Sequence, residues 1–225
     1  AEGDANDFTS ANEGTVVGGV SYVPGKSGQA FDLNGTTGYI SIPDASVIEV
    51  TSQLTLSAWI NPDDVGNYRQ IISKFGSSGN YAYQIGLAPS GRLRIDFSGD
   101  GAGYTNLESS TGALTTGTWQ LVTATFDNGA AKLYINGNQV ASSTMGFTSI
   151  YSAGNSNLNI GRDPAGSQYF DGRIDEAREW LARVPGVLQS PDLQLRLGAG
   201  TVLAFSERNA DGLQLAMDVL AEGGI

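Results

Sequence analysis

The chain has 225 residues, a formal net charge of -11, 31 glycines, and neither cysteine nor histidine. Those two absences remove disulfides, thiolate metal sites, Cys nucleophiles, the Ser-His-Asp triad and His-ligated zinc. The acidic balance argues against nucleic acid and anionic membrane surfaces, which need a basic footprint, and no run approaches the roughly 18 apolar residues of a membrane span.

The opening Ala1-Glu2-Gly3-Asp4 is polar and acidic, so no signal peptide is expected there and the chain reads as an excised domain or mature fragment. Residues 1–18 are turn-forming, with Asp4, Asn6, Asp7, Asn12 and Gly14 crowded together. A first strand is expected at about Gly19–Tyr22, followed by the turn Pro24-Gly25-Lys26-Ser27-Gly28. Strands follow at Gln29–Leu33, closed by Asn34-Gly35, and at Tyr39–Ile42 before Pro43. In Leu54–Ile60, residues Leu54, Leu56, Ala58 and Ile60 share one face, and Asn61-Pro62 stops the run. Short strand patterns continue at Arg69–Lys74, Tyr81–Leu87 and Arg92–Phe97.

The most informative segment is 118–138. Trp119, Leu121, Thr123 and Thr125 alternate with Gln120, Val122, Ala124 and Phe126, and Asp127-Asn128-Gly129 supplies a turn that tolerates positive φ. Leu133 and Ile135 then alternate with Lys132 and Tyr134 before Asn136-Gly137. Strands at Leu158–Gly161 and Gly172–Glu176 complete the series. Ten to twelve strands at this spacing, with no helical period between them, predict an all-β antiparallel sandwich of jelly-roll type with two curved sheets.

After Trp180 the texture changes. Ala177–Val184 fits a short helical turn, Leu193, Leu195 and Leu197 alternate, and 213–220 has an ambiguous period. No linker or internal repeat intervenes, so 181–225 is expected to add strands to a single domain spanning 1–225.

Three stretches together resemble one family. They are Gly28–Gly35 with Tyr39–Pro43, Leu54–Ile60 with Lys74, and the 118–138 hairpin with Gly172–Arg178. They resemble bacterial laminin-G-like domains of the concanavalin A-like lectin/glucanase superfamily, in the family's order over about residues 1–180. The leading Trp of the family's first segment is missing, and residues 181–225 are an atypical tail. The resemblance implies a secreted or cell-surface module of a larger multidomain protein. Its superfamily holds lectins, adhesion modules and glycan-cleaving enzymes alike, so fold carries over more safely than function.

Three constellations follow. For catalysis, a retaining glycosidase pair needs two carboxylates about 5–5.5 Å apart on one face. Asp175 and Glu176 are adjacent and point to opposite faces of a strand, while Asp171 and Asp175 are too far apart along it. For a cation, Asp7, Asn12 and Asp175 offer hard oxygen ligands from two separated segments, as calcium prefers. In the family, the first-loop Asp and the Asp of the Arg-Ile-Asp-Glu motif commonly hold a structural calcium, and Asp7 and Asp175 match those positions. The alternative is that Asp7 caps a turn and Asp175 pairs with Arg173 or Arg178.

For a glycan, aromatic faces with polar neighbours on loops are the expected signature. Asn67–Gln70, Asn80-Tyr81, Gly103–Asn106 and Gln168-Tyr169 have that character. The ligand-binding set expected from them is Tyr68, Arg69, Tyr81, Arg94, Tyr104 and Asn106. Trp59, Trp119 and Trp180 fall inside apolar patterns and read as core. The leading function is therefore a non-catalytic polysaccharide-binding module. An adhesion or protein-interaction module, a structural spacer and a divergent glycan-cleaving enzyme are the alternatives.

Overall fold

The computed structural model describes residues 3–5, 13–49, 51–76, 79–164 and 166–181, all within one compact unit, Ala1–Ala182. The expected packing of residues 181–225 onto the same domain concerns residues that, Leu181 apart, lie outside this described set.

Fourteen strands form among the described residues: β1 Thr15–Val17, β2 Val20–Pro24, β3 Gln29–Asn34, β4 Tyr39–Ile42, β5 Gln53–Pro62, β6 Arg69–Phe75 and β7 Tyr81–Ala88. The series continues with β8 Arg92–Phe97, β9 Thr105–Glu108, β10 Gln120–Asp127, β11 Ala130–Ile135, β12 Asn138–Thr144, β13 Leu158–Ile160 and β14 Asp171–Leu181. The only helical element described is one 3-10 turn, Ser46–Ile48, and no helix is long and apolar enough to cross a membrane.

Two seven-stranded antiparallel sheets result. One runs β1-β4-β13-β6-β7-β8-β9 and the other β12-β11-β10-β5-β14-β3-β2. Period-two alternation assigns the faces. In β5, Leu54, Leu56, Ala58 and Ile60 are buried, and across the ladder Phe126, Ala124, Val122 and Gln120 of β10 pair with them on the same face. The first sheet contributes Ile40, Ile72, Ile85 and Ile95 to the shared core. The β10–β11 hairpin closes as its sequence predicts, with Asn128 at φ 46° and Gly129 at φ 97°, a pair of left-handed residues whose twist suits a two-residue turn.

Three expectations change. Strands β1, β9 and β12 were not foreseen: β1 and β9 are only three and four residues long, and β12 is mostly polar and exposed with no apolar alternation. The segment from Ala177 is not helical: β14 continues to Leu181, with an irregularity between Asp175 and Arg178 where Glu176 takes φ 49°. That extra residue resets the pleat, which hid the strand from a period-two reading. Nor are Trp59 and Trp119 core residues. Both are half-buried, and Trp59 lies on the outer face of its sheet under the Lys26 ammonium, 4.6 Å from the ring centroid. The Trp180 side chain lies outside the described atoms.

Candidate functional site

The outer face of the first sheet carries one polar residue from every strand. In sheet order, Thr15, Ser41, Asn159, Ser73, Gln84, Asp96 and Asn106 stand in a single register row. The neighbouring row is apolar throughout: Val16, Ile40, Ile160, Ile72, Ile85, Ile95 and Leu107. Apart from Val16 at the edge, the apolar row packs in or against the core. The polar row, one residue further along each strand, must therefore face outward. Four of the seven, Asn159, Ser73, Gln84 and Asp96, are nevertheless buried, so only Thr15, Ser41 and Asn106 leave the row open to solvent.

At the β7–β9 end the row is cross-linked. Ser73 Oγ donates to Gln84 Oε1 at 3.2 Å, and Gln84 Nε2 donates to Asp96 Oδ2 at 2.9 Å. Arg94 grips Asp96 through Nε (2.9 Å to Oδ1) and Nη2 (2.6 Å), and reaches Glu108 through Nη1 at 2.8 Å. With its amide turned to satisfy both groups, Asn106 accepts from Arg94 Nη2 and Nη1. Asp96 is 1% exposed; burial pushes its carboxyl above the usual carboxylate range, against the opposing pull of Arg94 and Gln84. For Arg94 burial works the other way, but Asp96 and Glu108 outweigh it and keep the guanidinium firmly protonated. The pair is rigid, and Asp96 is sealed from any substrate.

Above this lock sits an aromatic group. Tyr68 (42% exposed) and Tyr104 (52% exposed) both lie against the Arg94 guanidinium, at 5.6 and 5.9 Å. Tyr81 meets Tyr104 edge-on at 5.8 Å, and Phe75 contacts both rings, at 4.9 Å from Tyr81 and 5.5 Å from Tyr104. Of the six residues expected to bind ligand, Tyr68, Tyr81, Arg94, Tyr104 and Asn106 thus converge from four separate segments. Arg69 does not join them. It donates to Asp64 through Nε and Nη2 and to the Gly35 and Tyr169 carbonyls through Nη1, so it works as an internal clamp.

Phe75 also walls a cavity of about 290 Å³ lined by Tyr39, Ser41, Asn80, Asn159 and Arg162 among others. Arg162 lies flat on Tyr39, 4.0 Å from the ring centroid, with Tyr169 5.9 Å away. Sequence reasoning noted Tyr169 and missed Tyr39, Asn159 and Arg162. The alternation of Tyr39 with Ile40 shows that it faces away from the core, but nothing local places residue 162 over residue 39.

The expected calcium ligands are only partly described. Asp7 and Asn12 lie outside the described residues. Asp175 is fully buried at the β14 irregularity. Its Oδ2 accepts the Lys26 and Ser27 N–H groups at 2.8 and 2.9 Å, and its Oδ1 accepts the Glu176 N–H at 2.8 Å. These atoms fit a main-chain anchor that ties the β2–β3 turn to β14. A cation would have to share oxygens at which three donors already point. Arg173 faces Asp32 at 3.5 Å. Among the described residues, no three acidic side chains converge as a metal site.

The family model described as Concanavalin A-like lectin/glucanases superfamily (Laminin_G_3) matches residues 34–182. Among solved structures, Domain 4 of AbnA, a GH43 extracellular arabinanase from Geobacillus stearothermophilus, in complex with arabinotriose, superposes with a TM-score of 0.60 at 27% identity; the match covers 79% of this chain and 87% of that domain. The binding domain of Paraclostridial Mosquitocidal Protein 1 gives a TM-score of 0.63 at 20% identity, covering 78% of this chain and 45% of that one. The botulinum neurotoxin serotype G binding domain gives 0.57 at 17%, covering 75% and 43%. This chain therefore spans less than half of the toxin binding domains it resembles, and their likeness concerns fold alone. No curated protein sequence matches the chain.

Proposed function

Because the chain belongs to the concanavalin A-like lectin/glucanases superfamily, we propose that it is a non-catalytic carbohydrate-binding module that lays polysaccharide along the outer face of its first sheet. The observation that carries this reading is the continuity of two features. The exposed rings of Tyr68 and Tyr104 adjoin the Arg94 guanidinium and the exposed amide of Asn106 at the open end of the polar row. Sugar rings stack their C–H faces on aromatics while their hydroxyls need fixed donors and acceptors. The Asp96–Arg94–Glu108 lock holds such a surface still, so that little entropy is lost on binding. The arabinotriose-bound arabinanase domain supports a sugar ligand, and being the fourth domain of an extracellular enzyme it supports a place within a larger secreted or surface protein.

The same lock speaks against glycan cleavage on this face. A general acid must reach the glycosidic oxygen, and the carboxyl with the raised pKa is the sealed Asp96. The test is retention on immobilised arabinan, xylan, β-glucan and pectin. Tyr68→Ala combined with Tyr104→Ala should weaken retention roughly tenfold, at about 1 kcal/mol or somewhat less per aromatic face. Retention unchanged in that double variant would remove the platform from the binding surface. Binding to no glycan, with capture by a protein ligand instead, would move the module to the adhesion reading.

A further inference from the structure

The cavity beside the aromatic platform is a second, chemically different subsite, and we infer that it selects an acidic sugar residue through a carboxylate held by Arg162. This inference rests on the carbohydrate-binding reading and names the sugar class at one end of the same surface.

The argument starts from charge. In a chain of net charge -11, the cavity wall contains, among the described residues, one cation and no acidic side chain: besides Arg162, its polar lining is serine and asparagine, with the Tyr39 ring. The other cations of this face are neutralised. Arg94 is paired with Asp96 and Glu108, and Arg92 with Glu108. Arg162 has no carboxylate within ion-pair distance among the described residues. Its neighbour Asp163 turns its carboxylate to the Ser167 and Gln168 N–H groups instead.

The guanidinium is nevertheless held in place. Its face rests on Tyr39, Nε donates to the Asp163 carbonyl at 2.9 Å, and Nη2 donates to the Pro164 carbonyl at 3.4 Å. Those two bonds occupy the Nε side of the fork. The edge formed by Nη1 and the second Nη2 hydrogen keeps its donors, spaced to match two coplanar carboxylate oxygens.

A second observation points into the same space. Asn159 is only 4% exposed and lines the cavity, and its side chain makes no hydrogen bond among the described residues. A nearly buried amide is normally satisfied, so this one is matched to something that enters the cavity. Asn80 spends its amide hydrogens on Gly154 O and Ser156 Oγ, leaving its oxygen to accept from a hydroxyl. A volume of about 290 Å³ lies at the small end of ligand sites, roughly one sugar ring. One cation for a carboxylate, asparagine amides for hydroxyls and room for about one ring describe a uronate.

The experiment uses the full chain and calorimetric titration with trigalacturonate, glucuronate-terminated disaccharides, and the carboxyl-reduced counterpart of each. The acids should bind roughly ten- to a hundredfold more tightly than the reduced sugars, as a charge-assisted pair would give. Arg162→Gln should erase that preference while keeping the affinity for the reduced sugars, and Arg162→Lys should restore part of it. Asn159→Ala should weaken acid and reduced sugar alike. Equal binding of acid and reduced forms, or an acid preference that survives in Arg162→Gln, would overturn the uronate subsite and leave the module reading intact. A sulfated sugar binding more tightly than the uronate would overturn the carboxylate assignment. Failure of every sugar to bind would overturn both readings.

Discussion

Replacing Asp175 by alanine tests whether this residue is an anchor or an ion ligand. The carboxylate is fully buried and accepts three main-chain N–H bonds, two from the β2–β3 turn and one from Glu176. Hydrogen bonds to a charged group contribute about 1.5–3 kcal/mol each, but not additively, and Lys26 and Ser27 are exposed residues whose N–H groups can recover water. A net loss of about 3 kcal/mol follows, which in a chain of this length is roughly 6–12 °C in Tm. Gly25→Ala approaches the same contact from the other side. A Cβ there would stand 2.5 Å from Asp175 Oδ2 and 2.9 Å from the Ala30 nitrogen, closer than real Cβ atoms come, so it should cost about 1–3 kcal/mol. Differential scanning calorimetry measures both.

Wild-type protein with calcium and with chelator supplies the deciding comparison. We propose that a calcium ion shared by Asp7, Asn12 and Asp175 would add about 2.7 kcal/mol at a hundredfold excess over its Kd, all of it lost to chelator. If Asp175→Ala melts within a degree of wild type, the anchor reasoning fails. If chelator lowers wild-type Tm as far as the substitution does, the ion carries the effect.

The remaining predictions concern charge and the sugar platform. Asp44→Ala strands the fully buried Lys74 ammonium and should cost about 3–5 kcal/mol in urea unfolding, whereas Lys74→Met should be far milder. The Asp64 carboxyl is held below its ordinary value, first by the Asn67 amide and further by Gly66 and Arg69, against the opposing effect of burial. Its contribution is therefore fully present above the unfolded pKa near 4 and is lost as pH falls through the lowered folded value. Asp64→Asn should flatten that acid limb in a pH series of melting curves. Asp96 has the opposite sign: with its folded pKa raised, its protonated form favours the fold, so stability should fall as pH rises from about 4 through the raised value, and Asp96→Asn should remove that slope. In the platform, Tyr104→Ala should weaken glycan retention without changing Tm by more than a degree or two, because half of the ring is already in water.

Much of this architecture is legible in single strands, because side-chain direction in an extended chain has a fixed period of two. The alternation in 53–62 and 120–127, together with the Asn-Gly turns, determines which residues enter the core, and the same rule places Trp59 outside it. Reading Trp59 as core followed the apolar pattern around it and not its parity; Lys26, from a turn some thirty residues earlier, covers the ring instead. The convergence of Tyr68, Tyr81 and Tyr104 was suggested by composition, since each stands beside polar loop residues.

The polar row and the acidic-sugar cavity are different in kind. Asn159 reaches Ser41 on one side and Ser73 on the other only because β13 inserts between β4 and β6, strands more than eighty residues earlier in the chain. Arg162 meets Tyr39 for the same reason, and Arg69 was spent on Asp64 and two distant carbonyls for a similar one. Strand order is set by how two whole sheets bury their apolar rows against each other. The sequence by itself thus determines the face each side chain takes, while the partners it meets across that face are decided only when the sheets assemble.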